Sequence, residues 1–279
     1  QPDVVCLQEI WLPRDARHLE DTWGRHGYEA IGAPEAPVRR KGGLIAFVSA
    51  AGGWKVTGSA FEEYEAEAPE YRFHEFDGLG DRGIQRIDLR HTSGAPLVVL
   101  NTHLQSQYAG RPYARIRGAQ LGQLSQVAAT VACDTPVLAA GDFNTAPQGD
   151  VDAPLYRRFL GDGWDDLTVE ARDVHPDGTF LGATSSDGWI DYVFVRRSAM
   201  WSIRAAVVRI GNHEPGREES DHYGLSARVV FERNASVGRD ILCAVAAATP
   251  STRREILTGT VALATGRLLQ RLVPLFGRR

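Results

Sequence analysis

Five short segments of this chain carry side chains suited to chemistry on a phosphate ester: Leu7-Gln8-Glu9, Asn101-Thr102-His103-Leu104, Gly141-Asp142-Phe143-Asn144, Ile190-Asp191-Tyr192 and Ser220-Asp221-His222. Glu9 closes an apolar run and offers a hard oxygen, the donor that Mg²⁺ takes alongside water and substrate phosphate. The same position also suits a helix cap or a partner for arginine. His103 follows Val98-Val99-Leu100-Asn101-Thr102. An imidazole there is either held in place by hydrogen bonds or, beside a phosphodiester, donates to a non-bridging oxygen and steadies developing charge. Asp142 and Asn144 flank Phe143, so in an extended chain both project to one side. The aspartate supplies negative charge for metal binding or proton transfer, the asparagine an amide donor for phosphate. Asp191 and His222 suit an orienter and a base, because a carboxylate fixes the imidazole tautomer and raises its basicity. Asp221 beside them adds a metal contact or caps a turn.

These groups need elements that bring them together. Polar side chains at the ends of buried strands are costly unless paired or used. Four of the five segments end apolar, β-branched runs that read as strands. Strand-like runs occupy residues 4–8, 43–49, 84–90, 97–102, 136–140, 190–195, 203–210 and 225–231. The clearest helix spans 113–132, where Ile116, Ala119, Gln120, Leu124, Val127 and Val131 trace one stripe. Strands interleaved with helices indicate an α/β protein. Long loops at 105–112, 145–153 and 172–188 are candidates for function. Segment 59–81, acidic and aromatic, is either an excursion between strands or a lid. The body is expected to end near residue 232. The tail, 233–279, reads as two helices, Asp240 to Ala248 and Arg254 to Phe276. In the second, Leu257, Val261, Ala264, Leu268, Leu272 and Phe276 fall on one face, with Arg267, Gln270 and Arg271 off it. Such a helix docks on the body or a partner, or lies on anionic lipid.

With 279 residues the chain can bury a sizeable core. Cys6, Cys133 and Cys243 have neither zinc nor redox spacing. No stretch reaches about 18 uninterrupted apolar residues, so no membrane-spanning helix is expected. The tail holds eight arginines against Asp240 and Glu255, so the body is more acidic than the net charge of −4 indicates. An acidic body is a poor match to nucleic acid, whose binding rests on phosphate neutralisation. The only methionine is Met200, and the chain opens directly on Val4-Val5-Cys6-Leu7; a further strand ahead of residue 1 is expected.

The five segments in this order resemble the endonuclease/exonuclease/phosphatase superfamily over residues 1–232. The resemblance implies a four-layer α/β sandwich, DNase I-like, of two packed mixed sheets flanked by helices, with the site at one end. It implies a phosphoesterase dependent on Mg²⁺, with Mn²⁺ as a possible substitute. Carried over, Glu9 becomes the metal ligand, with Asp221 a further metal contact on its residue type alone. His103 becomes a phosphate donor, Asp142 and Asn144 hold phosphate and attacking water, and Asp191 orients His222, the general base. The family pattern has an asparagine on a strand preceding Leu7-Gln8-Glu9, where this chain has no residues. Asn101 through Tyr108, with Arg117 and Gln120-Leu121 following and Arg82-Gly83-Ile84-Gln85 preceding, looks like the neutral sphingomyelinase branch. That branch implies a phospholipid substrate and release of phosphocholine, with a membrane surface met through 254–276. Nucleases and soluble inositol-phosphate phosphatases of the same superfamily are the competing readings. A binding module without activity is the reading from another class, and the intact set of site residues argues against it.

Overall fold

The protein is described here from a computed structural model, over residues 1–35, 40–68, 81–108, 113–169, 172, 183–185, 188–210, 220–234 and 256–265. In chain order the elements are β1 (Val4–Gln8), α1 (Pro13–Gly24), β2 (Tyr28–Gly32), β3 (Ile45–Ser49), β4 (Trp54–Glu63), β5 (Gly83–His91), β6 (Pro96–His103), α2 (Ala114–Ala129), β7 (Val137–Asp142), α3 (Asp152–Gly161), β8 (Trp164–Asp166), β9 (Asp191–Arg196), β10 (Trp201–Ile210), β11 (Gly224–Arg233) and β12 (Ile256–Thr265). They form two mixed six-stranded sheets, ordered β10-β11-β12-β1-β3-β2 and β4-β5-β6-β7-β9-β8.

Burial on both faces explains why β1 reads as an unbroken apolar run. Val4 and Cys6 belong to the core between the sheets, whereas Val5 and Leu7 belong to a second cluster outside the first sheet. That outer cluster is closed by Ala16, Leu19 and Trp23 of α1, a helix that opens with proline in its first turn. On the far side, Leu121, Leu124, Val127 and Ala128 of α2 and Phe159 of α3 join the main core. The layers are therefore helix, sheet, sheet, helices, the DNase I-like sandwich. Gln8 has the parity of Val4 and Cys6 and is directed into the space between the sheets.

Two expectations need correction. The buried face of α2 is Arg117, Gln120, Leu121, Leu124, Val127 and Ala128, while Ala119 is exposed. The stripe turns because Arg117 is directed inward to hold loops rather than outward as polar surface, while Gln120, Leu124 and Val127 are buried as the stripe has them. The helix expected over Arg254 to Phe276 is replaced, over Ile256–Thr265, by β12. This strand lies between β1, with which it is parallel, and β11, with which it is antiparallel. Ladders on both sides let its backbone N–H and C=O groups find partners in either neighbour, and Ile256, Thr258, Thr260 and Val261 favour a pleated chain. The helix expected from Asp240 to Ala248 falls outside the described residues, as do 266–279.

Gly141 in β7 sits at φ 146°. A Cβ there would lie 1.9 Å from the Thr102 carbonyl oxygen on β6. Gly141→Ala is expected to destabilise the protein by roughly 3 kcal/mol or to prevent folding, as backbone strain at a special position does. Urea denaturation measures it; a midpoint unchanged from the parent would contradict this packing.

Candidate active site

The register of the second sheet builds the site. β6 and β7 are parallel with His103 opposite Asp142, and β7 and β9 are antiparallel with Asp142 opposite Asp191. Three residues far apart in sequence therefore stand in one row across three neighbouring strands. His103 Nε2 lies 3.3 Å from Asp142 Oδ2. The first sheet contributes the other half: Glu9 follows β1 directly, and His222 precedes β11. His222 Nδ1 is 2.9 Å from Asp191 Oδ2, and its Nε2 is 4.0 Å from Asp142 Oδ2.

Small polar groups hold this arrangement. The Thr184 hydroxyl accepts from the Ile190 and Asp191 backbone N–H groups at 2.9 and 3.1 Å, fixing the start of β9. The Tyr223 N–H donates to the Thr184 carbonyl, and the His222 N–H to Ser220 Oγ. Arg117 Nη2 donates to Asp152 Oδ1 at 2.6 Å, and Nη1 donates to Gln107 Oε1 at 3.2 Å. This fully buried guanidinium thus clamps the loop after His103 to the first residue of α3. Gln120 completes it, accepting from the Gln105 N–H and donating to the Ala66 carbonyl.

Asn144 does not continue an extended chain from Asp142. Its backbone is left-handed at φ 46°, and its N–H donates to Asp142 Oδ1 at 2.8 Å, closing a turn. Its amide donates to the Leu104 carbonyl at 3.0 Å, an oxygen that also accepts from Arg82 Nη1. Glu9 is likewise left-handed, at φ 62°. Such conformations are uncommon outside glycine and collect at functional sites.

Charge is concentrated here. Burial raises the Asp142 carboxyl, but the His103 charge and hydrogen bond, His222 and the Asn144 N–H together outweigh it and hold Asp142 below the usual carboxylate range. Asp191 is pushed up, first by burial and then by the charge of Asp142. For His222, burial opposes the charge, yet the hydrogen bond and charge of Asp191, with Asp142 and Asp221 behind, raise it to about 10. The Nδ1–H donates to Asp191, leaving Nε2 turned toward Asp142.

The structure brings His103, Asp142, Asn144, Asp191 and His222 together. Ligand atoms of Asp142, Asp191 and His222 all lie within 4.8 Å of one another. Two carboxylate oxygens and an imidazole nitrogen suit a divalent cation. Glu9 is exposed at the end of β1 and, among the described residues, makes no hydrogen bond or ion pair. It is thus an available oxygen donor. Asp221 is exposed beside His222 and is not part of the three-residue cluster. His103 is fully buried, with Nε2 directed at Asp142 rather than outward. Sequence reasoning missed Thr184, which no periodicity marks, and Trp11, two residues after Glu9, whose ring centroid is 6.5 Å from that of His103.

Fold and site together define a hydrolytic phosphoesterase. The chain belongs to the endonuclease/exonuclease/phosphatase family, whose profile matches residues 1–222. Enzymes of this family are typically dependent on a divalent metal. No curated protein matches the chain. Among solved structures it is similar to the human Nocturnin catalytic domain with bound sulfate, at 20% identity and TM-score 0.60, covering 84% of this chain and 82% of that one. A beta toxin structure from Staphylococcus aureus aligns at 15% identity and TM-score 0.60, covering 81% and 86%. The D. rerio TDP2 complex with single-strand DNA product aligns at 19% and 0.58, covering 82% and 86%. At these identities the likeness is one of fold.

A histidine whose folded pKa lies above its ordinary 6.5 stabilises the fold while protonated. For the metal-free protein this contribution is full below 6.5 and is lost as pH rises through about 10. Proton NMR of His222 is expected to show a midpoint well above 6.5, falling back toward it in Asp191→Asn. A midpoint that is the same in Asp191→Asn as in the parent protein would disprove the Asp191–His222 pairing.

Proposed function

We propose that this enzyme is a Mg²⁺-dependent phosphodiesterase that cleaves a phospholipid headgroup of the sphingomyelin type, releasing phosphocholine. The observation that carries the hydrolytic part is the Asp191–His222–Asp142 constellation at the end of both sheets. Asp191 holds Nδ1, so the imidazole presents Nε2 to an attacking water. Beside the Asp142 and Asp191 carboxylates alone, His222 keeps its proton at neutral pH. Mg²⁺ or Mn²⁺ held by these carboxylates, with Glu9, would offset phosphate charge and bring the imidazole's basicity into the range a general base needs. His222 then takes the water's proton, and water attacks phosphorus in line with the leaving oxygen. The Asn144 amide, and His103 through Asp142, keep the phosphate and water in register. Asp221 adds negative charge beside His222.

Support for the lipid substrate comes from the loop after His103. Arg117 and Gln120, which carry the likeness to the sphingomyelinase branch, are the residues that shape this loop, through Gln105 and Gln107. The tail gives no such support. Residues 256–265 form a strand inside the first sheet, and no helix among the described residues is long and apolar enough to cross a membrane.

The test is Mg²⁺-dependent phosphocholine release from sphingomyelin liposomes, run beside plasmid nicking. His222→Ala is expected to lose about 10²–10⁴-fold in rate with its circular dichroism unchanged. Release without nicking supports the proposal. Nicking without release would replace the lipid by nucleic acid and leave the phosphoesterase assignment standing.

A further inference from the structure

Three primary amides, Gln8, Gln85 and Asn101, meet between the two sheets with essentially no exposure. Gln8 Nε2 donates to Asn101 Oδ1 at 2.8 Å. Asn101 Nδ2 donates to Gln85 Oε1 at 3.0 Å and, more weakly, to the Leu7 and Ile45 carbonyls at 3.3 and 3.4 Å. Gln85 Nε2 donates to the Ile31 carbonyl at 2.7 Å. The trio therefore ties β1, β2 and β3 of one sheet to β5 and β6 of the other.

We infer that this strut positions the two halves of the active site, and that Gln8, Gln85 and Asn101 are positioning residues for metal binding at Glu9; the inference rests on the metal-dependent reading above. Gln8 immediately precedes Glu9. Asn101 lies two residues before His103 on the same strand face, opposite Ala140, just as His103 lies opposite Asp142. The strut thus sits about 7 Å below the row of site residues, at roughly 3.3 Å per residue along a strand. Apolar contact between sheets is non-directional and tolerates sliding. Hydrogen bonds constrain both distance and angle. The trio is also not the best packing solution. Gln8 Oε1 is buried without a hydrogen-bond partner among the described residues. An orphaned acceptor is destabilising, whereas apolar groups replacing the three amides together are close to neutral among the amides, leaving the Ile31 carbonyl as the one closely bonded partner that loses its donor.

That asymmetry supplies the test. The triple variant Q8L/Q85L/N101V removes all three amides together. Its melting temperature is expected to stay within a few degrees of the parent. Its affinity for Mn²⁺, read by electron paramagnetic resonance without substrate, is expected to fall at least tenfold, toward that of Glu9→Gln. Should the triple variant not fold, the near-isosteric Gln8→Met carries the same measurement, with a several-fold loss expected. Parent-like Mn²⁺ affinity in the folded triple variant, or in Gln8→Met, would overturn the positioning role and leave the phosphoesterase assignment intact. A parent protein whose Mn²⁺ binding is indifferent to Glu9→Gln would instead remove the metal assignment, and the strut's role with it.

Discussion

A buried negative charge at Asp142 is the constraint from which the rest of the site follows. An isolated carboxylate in the interior is strongly disfavoured, and this one is stabilised from three directions. His103 approaches from β6, His222 approaches from the other sheet, and the Asn144 N–H comes from the turn immediately following. Each approach imposes a condition on the fold. The first needs β6 and β7 parallel and in their observed register. The second needs the segment before β11 to bend across to the second sheet. The third needs Asn144 in a left-handed conformation. Gly141, one residue earlier, lets β7 pass close to the Thr102 carbonyl, which keeps Asp142 beside His103.

The chemistry was more legible in the sequence than its mechanics. The residue types in the five segments announced carboxylates and imidazoles on strand ends, and eight strand runs were visible because burial on one or both faces leaves an apolar signature. β2, β4 and β8 were not, since their exposed positions break that signature: β2 runs buried, exposed, exposed, buried, exposed. Alternation led Asp142 and Asn144 to be read as two positions on one extended face. The local hydrogen bond from Asn144 to Asp142 overrides that reading, a competition in which short polar side chains commonly prevail over strand geometry. Thr184 was illegible for a different reason. A lone threonine in a Gly-Ala-Thr-Ser-Ser loop looks like any turn residue until β9 is placed against it.

The tail shows the limit of periodicity. Apolar residues at helical spacing from Leu257 to Phe276 are real, yet residues 256–265 pair as a strand. Helical spacing measures only how a segment would satisfy its own backbone. It contains no information on whether two sheet edges elsewhere await a partner, and here β1 and β11 are those edges. Tertiary context decided the outcome, as it regularly does against local preference. The same holds for α2, where the helical stripe was correct in period but is rotated toward Arg117.

Glu9 and Asn144 have a consequence for how such a protein can drift. Both hold left-handed backbone, which is disfavoured by about 1–2 kcal/mol at a residue such as Glu9 but is readily visited by asparagine. Glu9 is exposed at a strand end where glycine would suit the backbone better, whereas the Asn144 amide holds the Leu104 carbonyl. Under the proposed function, glycine in place of Glu9 would therefore raise thermal resistance while removing a metal ligand, in keeping with the trade-off between stability and activity. On that reading, a lineage released from selection for catalysis would lose Glu9 early and keep its sandwich, and glycine at that position in a relative of this chain would mark a fold that has outlived its metal chemistry.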